Sequence, residues 1–237
     1  MTFSAKQLQR LEQMGLGPVW ALRTSVAADT AERIELHADA GLSNDIAGMD
    51  WDALEVSIRG CTRCGLCEGR AHAVPGVGDR KARWLFVGEG PGRNEDQQGE
   101  PFVGPAGKLL DNMMRALGLA RGANTYIANI VKCRPVGADG RDRPPASDEV
   151  AACMPYLERQ IALIRPDVMI ALGKTAAVTL LGLNEDTALA GLRGKPYEVA
   201  GIPLVVTYPP AYLLRKPADK SKSWQDLCLA RRLFDGR

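Results

Sequence analysis

Trp84-Leu-Phe-Val-Gly-Glu-Gly-Pro-Gly-Arg-Asn-Glu-Asp-Gln-Gln-Gly-Glu-Pro-Phe-Val-Gly104 is the stretch on which the reading of the fold turns. Its first four residues are apolar, as a strand buried on both faces requires. The chain then breaks into Gly88, Glu89, Gly90, Pro91 and Gly92, more glycine than a strand-to-helix turn needs. Positions without a Cβ let a ligand approach the backbone, and bare N–H groups there can point at an electronegative atom. A plain glycine-rich βα turn is the competing reading. The spacing is neither Gly-x-Gly-x-x-Gly nor Gly-x-x-x-x-Gly-Lys-Ser/Thr, so both the dinucleotide and the P-loop cradle are excluded. The residues beyond these glycines are more telling: Glu95 and Asp96, then Gly99, Pro101, Phe102, Gly104 and Gly107, bring carboxylates and one aromatic to the same cleft.

Outward from this stretch, apolar runs at 125–131, 166–172 and 203–208 read as further strands. Helical patterns cover 51–59, 105–117, 147–164, 174–181 and 222–234, and Ser147, with Asp148 and Glu149 after it, reads as a helix cap. Strands alternating with helices predict an α/β fold, a three-layer α/β/α arrangement around a central, mainly parallel four-stranded sheet. Ligands in such sheets sit at the carboxyl ends of the strands, so the loops after 88, 129, 172 and 208 are expected to converge.

The first fifty residues read differently. Ala5 to Met14 forms an amphipathic pattern, while 24–50 lacks periodicity and reads as a flexible linker, leaving 51–237 as the α/β domain. With 237 residues the chain can bury a sizeable core without disulfides. No run of eighteen apolar residues and no signal-peptide core occurs, so a soluble, cytoplasmic protein with no membrane association is expected. Net charge is +2 but uneven. Residues 1–60 carry five Lys/Arg against nine Asp/Glu, and residues 188–237 carry nine against four, a bias that suits a polyanion at the C-terminal end.

Six cysteines are many for such a chain. Cys61 and Cys64 share one turn, and Cys133 and Cys153 lie in and after a later loop. Four thiolates serve a [4Fe-4S] cluster or structural zinc, and spacing alone does not choose. Ordinary buried thiols are the plain alternative. Cys67 is a spare, and Cys228 reads as core.

Gly88-Glu-Gly-Pro-Gly92, Glu95-Asp96, Gly99-Glu-Pro-Phe-Val-Gly104, Asn129-Ile-Val-Lys-Cys-Arg-Pro135 and Pro210-Ala-Tyr-Leu-Leu-Arg215 together resemble the family 4 uracil-DNA glycosylases over roughly residues 57–235. The resemblance implies hydrolysis of the bond between uracil and deoxyribose in DNA, with the base flipped out of the stack. It also implies a [4Fe-4S] cluster on Cys61, Cys64, Cys133 and Cys153. Phe102 would stack on the base, Asn129 would read its polar edge, and the Gly88–Gly90 backbone would bond it. Glu89 or Glu95 would steady the developing sugar cation and orient water. Leu213 or Leu214 would fill the gap left in the stack, and Arg215 would hold phosphate.

Pro209 departs from the family pattern, which has histidine there as a donor to the departing base. Proline has neither N–H nor side-chain donor, and His37 and His72 lie outside the motif. A weakened glycosylase, leaning on Glu89, Asn129 and backbone donors, is therefore expected. The alternatives are an iron-sulfur DNA-binding protein that has lost catalysis, and a structural zinc protein that binds nucleotide in the Gly88 loop. A monomer acting on uracil-containing DNA is expected. Residues 1–23, through Leu11, Met14, Gly15, Leu16 and Trp20, resemble the docking segment of the psi subunit of a replicative clamp loader, which implies a replication or repair partner.

Overall fold

The computed structural model describes residues 33–34 and 44–236. The amphipathic segment at 5–14, the docking stretch 1–23 and His37 lie outside the described residues. In chain order the strands are β1 (Arg33–Ile34), β2 (Val77–Gly78), β3 (Trp84–Gly88), β4 (Thr125–Asn129), β5 (Val168–Leu172), β6 (Pro196–Val199) and β7 (Ile202–Thr207). The helices are α1 (Asn44–Ala47), α2 (Trp51–Arg59), α3 (Leu66–Gly69), α4 (Arg93–Gln98), α5 (Pro105–Ala116), α6 (Ser147–Ile164), α7 (Lys174–Leu180), α8 (Leu189–Leu192), α9 (Pro210–Arg215) and α10 (Lys220–Asp235). No helix among the described residues is long and apolar enough to cross a membrane.

The four strands expected from the apolar runs form the parallel centre, in the order β7-β5-β3-β4. The sheet itself is larger than the expected four strands. Seven strands pair in the order β1-β6-β7-β5-β3-β4-β2, with β6 antiparallel to β7 and β2 antiparallel to β4. The added strands β1, β2 and β6 are two to four residues long, too short for an alternating pattern to show in the sequence.

Strand β3 shows how the apolar runs make layers. Leu85 and Val87 point into one core with Leu54, Ile58, Leu157 and Ala177, whereas Trp84 and Phe86 point into the other with Leu110, Met114, Leu227 and Ala230. Helices α2, α6 and α7 thus cover one face, α5 and α10 the other. Both faces being buried, the strand has no polar side to alternate with.

Two local expectations are corrected. Within the supposed linker, Arg33–Ile34 pairs with β6 and Ile46 of α1 is buried in the core, so the α/β unit begins before residue 51. Ser147 is not the cap of α6 but its first residue: Glu149 reaches back to accept the Ala146 N–H at 2.7 Å.

The register levels the strand ends. Gly88 pairs with Asn129, and Leu172 with Thr207, so the four central strands deliver their loops to one rim. The β7 end is held from below. Thr207 donates to Asp226 of α10 at 2.8 Å, and Arg193 bonds the same carboxylate oxygen at 2.8 and 2.7 Å while lying 4.1 Å over the Tyr208 ring. Asp226 and Thr207 are buried. Removing one member of such a pair strands the other charge. Asp226→Ala is therefore expected to lower stability by about 3–5 kcal/mol, measured as a shift in urea midpoint with unchanged slope.

Candidate active site

At the end of β3 the chain has no room for a side chain. A Cβ on Gly88 would lie 2.4 Å from Asn129 Oδ1 and 2.6 Å from Phe102 Cζ, so the amide and the ring converge over this glycine. Asn129 ends β4 and is buried, and its Oδ1 has no hydrogen-bond partner among the described residues. An orphaned buried acceptor is rare and needs an explanation, and a ligand's N–H is one. The Asn129 backbone carbonyl is fixed instead: it accepts from Lys132 Nζ at 2.7 Å, which also donates to Gln160 Oε1 at 2.7 Å. Lys132 is fully buried, and desolvation brings its pKa down to about 8.

Phe102 is held with equal care. Its φ of +56° is a left-handed conformation that costs a bulky residue energy, so neighbours must impose it. Arg121 donates to the Phe102 carbonyl at 2.8 Å and to the Pro101 carbonyl at 3.0 Å, and is itself anchored on Asp111 at 2.9 Å. Gly107 in α5 closes from the other side, where a Cβ would stand 1.7 Å from the Phe102 carbonyl oxygen.

The two acidic candidates have different surroundings. Glu95 accepts from the backbone N–H groups of Gly92, Val103 and Gly104 at 3.2, 3.0 and 3.1 Å, tying the two ends of the loop together. Glu89 accepts one hydrogen bond from the Thr175 hydroxyl of α7. Asp96 points away, taking the N–H groups of Ala71 and His72 at 2.9 and 3.4 Å.

Glu89, Gly90, Glu95, Phe102, Asn129, Pro209 and Arg215 all line one cavity of about 420 Å³, together with Lys174, Arg143 and Tyr212. That size falls within the range of small-molecule pockets. Gly88 is buried beneath it. The Pro209 ring packs against Gly173, whose φ is +111° and whose missing Cβ would lie 3.2 Å from it.

A second, much tighter cavity is lined by Cys61, Cys64, Cys133 and Cys153, and by the spare Cys67. Burial pushes the Cys153 thiol up to about 12 and raises Cys64 and Cys133 as well. Donors face the sulfurs all the same: Arg70 reaches Cys133 Sγ at 3.1 Å and the Lys132 N–H reaches Cys153 Sγ at 3.2 Å. Cys228 lies apart on α10 and is half-buried.

A family model described as the uracil DNA glycosylase superfamily matches residues 75–229. The chain is 42% identical over 187 residues to the type-4 uracil-DNA glycosylase of Pyrobaculum aerophilum, covering 76% of this chain and 93% of the relative. It is 42% identical over 172 residues to that of Archaeoglobus fulgidus (70% and 84% covered). For Thermotoga maritima the identity is 40% over 164 residues (69% and 82% covered). This chain belongs to the type-4 uracil-DNA glycosylase family.

For a member of this family, the structure revises one pair of expected residues. Leu213 is 1% exposed and packs inward, while Leu214 is 45% exposed, so of the two leucines only Leu214 can reach a partner from the surface. No sequence pattern singles out Arg121 or Thr175, since each acts through a contact between separated segments; Lys132 falls within a quoted motif, but its bond to Gln160 on α6 is not legible there. Gly107→Ala drives a methyl into the Phe102 carbonyl, and overpacking of this kind costs about 1–3 kcal/mol. The expected outcome is a lower denaturation midpoint together with a displaced Phe102 in the variant's crystal structure.

Proposed function

We propose that this chain removes uracil from DNA by hydrolysing the bond between uracil N1 and the deoxyribose C1′. The observation that carries the reading is the unpartnered Asn129 amide oxygen beside the Phe102 ring over Gly88. Uracil presents an N–H donor between two carbonyl acceptors. One amide can accept from that N–H and donate to the neighbouring carbonyl.

A base stacked in a duplex is out of reach, so the nucleotide rotates out at a cost of a few kcal/mol. Phe102 then offers its face to the extruded base, and Leu214 at the rim fills the gap in the stack. Arg215, exposed on the same rim, holds a phosphate. As the C1′–N1 bond breaks, its electron pair leaves on uracil and the sugar gains cationic character. Glu89 stabilises that cation and orients a water, whose oxygen bonds to C1′ and whose released proton ends on the departed base. Thr175 fixes the carboxylate in place. Glu95 serves instead as the tie of the loop, its oxygens being occupied by three backbone donors.

Cys61, Cys64, Cys133 and Cys153 are the residues that hold a [4Fe-4S] cluster in this reading. All four line one cavity, where the Arg70 guanidinium and the Lys132 N–H already face the Cys133 and Cys153 sulfurs, an environment that suits thiolate ligands. The cluster would supply ligation rather than a chemical step: bound by these four cysteines, it would tie the Cys61–Cys64 turn to α6 and to the segment just past β4. Cys153→Ala is expected to strip the brown colour and lower bound iron. Full iron content in that variant would contradict the ligand set.

Pro209 leaves the departing base without a side-chain donor from this position. Loss of one such donor costs about 10²–10³ in rate, which is the observation behind a second reading, a DNA-binding protein that has lost catalysis. Single-turnover release from a single-stranded uracil oligonucleotide separates the two. We expect release by the natural chain, a fall of at least about 10²-fold in Glu89→Gln and Asn129→Ala, and a gain in Pro209→His. Binding without release would favour the second reading.

A further inference from the structure

Uracil departs carrying negative charge, so its rate of release depends on a cation or donor beside it. Pro209 provides neither. Three cationic side chains line the pocket: Arg143, Lys174 and Arg215. Arg143 is committed to both oxygens of Glu149 at 2.8 and 2.6 Å. Arg215 is the last residue of α9, more than a helical turn beyond Pro209.

Lys174 stands in a different place. It directly follows Gly173, against which the Pro209 ring packs, and directly precedes Thr175, which bonds Glu89. Its backbone therefore lies between the donorless position and the carboxylate assigned to the water. The residue lines the pocket and is exposed, and its side chain makes no hydrogen bond or ion pair among the described residues. Every other charged group near the base has a partner or lies further along the rim.

We propose that Lys174 takes over the task left vacant at Pro209: its ammonium meets the negative charge that builds on the base's carbonyl oxygen as the C1′–N1 bond breaks. The electron pair of that bond goes to uracil, and Lys174 stabilises it electrostatically or by a hydrogen bond, with no further reactant required. Glu89, next along the same wall, faces the opposite charge on the sugar. Cation and carboxylate thus act on the two halves of the breaking bond.

The inference rests on the uracil-release reading, and the test is arranged to separate the two. Single-turnover release is measured for the natural chain, Lys174→Met, Lys174→Arg, Pro209→His and the double variant Lys174→Met with Pro209→His. Substrates are single-stranded oligonucleotides bearing uracil or 5-fluorouracil, whose fluorine makes the departing anion more stable and less dependent on help. Affinity for the same DNA is titrated alongside, and thermal melting checks the fold.

We expect Lys174→Met to slow uracil release by about 10²–10³-fold while affinity falls by much less. The deficit shrinks with 5-fluorouracil, Lys174→Arg keeps part of the rate, and Pro209→His restores the rate in the Lys174→Met background. An unchanged rate in Lys174→Met would overturn the inference. So would an equal deficit with both bases, or a loss that tracks DNA affinity as a phosphate contact would. If the natural chain releases no uracil, the reading of the function falls and this inference with it. If it releases uracil and Lys174→Met does too, only the inference falls.

Discussion

No side chain fits at position 88, and the site is arranged around that fact. Asn129 Oδ1 and the Phe102 ring occupy the space where a Cβ would be, 2.4 and 2.6 Å from it. The amide arrives because β3 and β4 are parallel neighbours with Gly88 paired to Asn129. The ring arrives because Arg121 and Gly107 hold Phe102 in a backbone conformation that it would not adopt unaided. A one-residue slip between β3 and β4 would turn Asn129 to the opposite face of the sheet and remove it from the cleft.

The thiol-lined cavity bears on the same strand exit. Lys132 bonds the Asn129 carbonyl through its ammonium, and its own N–H faces Cys153 Sγ; the next residue is Cys133. A cluster on these cysteines would therefore brace the chain three or four residues from the Asn129 amide. It would not need to touch the substrate. Buried thiols that are raised by desolvation favour the protonated form until a cationic centre binds them, so assembly of the cluster and ordering of this segment are expected to be linked.

Much of the architecture was legible in the sequence because its central strands are buried on both faces. Trp84–Val87, Val168–Leu172 and the apolar run of β7 stand out as uninterrupted runs; a glycine marks where each of the first two gives way to a loop, and Pro209-Pro210 marks the end of the third. The edge strands were not legible. Arg33–Ile34 and Val77–Gly78 are strands only because a neighbour supplies hydrogen bonds, which no local pattern records. The pocket's membership was visible in motif order, whereas the use made of each group was not. Glu89 and Glu95 look alike in sequence, yet one meets a hydroxyl and the other three backbone N–H groups. Leu213 and Leu214 are adjacent, and only the packing of α9 decides which is buried. Thr175 lies 86 residues from the glutamate it orients, a distance that spacing arguments do not bridge.

The central claim is that this cleft receives uracil between the Phe102 ring and the Asn129 amide. A crystal structure of the protein soaked with uracil tests it most directly. The account predicts the base lying against Phe102, with its N–H and a carbonyl oxygen within hydrogen-bonding distance of the Asn129 side chain. Uracil bound elsewhere, or bound here with the Asn129 amide oxygen still unpartnered, would contradict it.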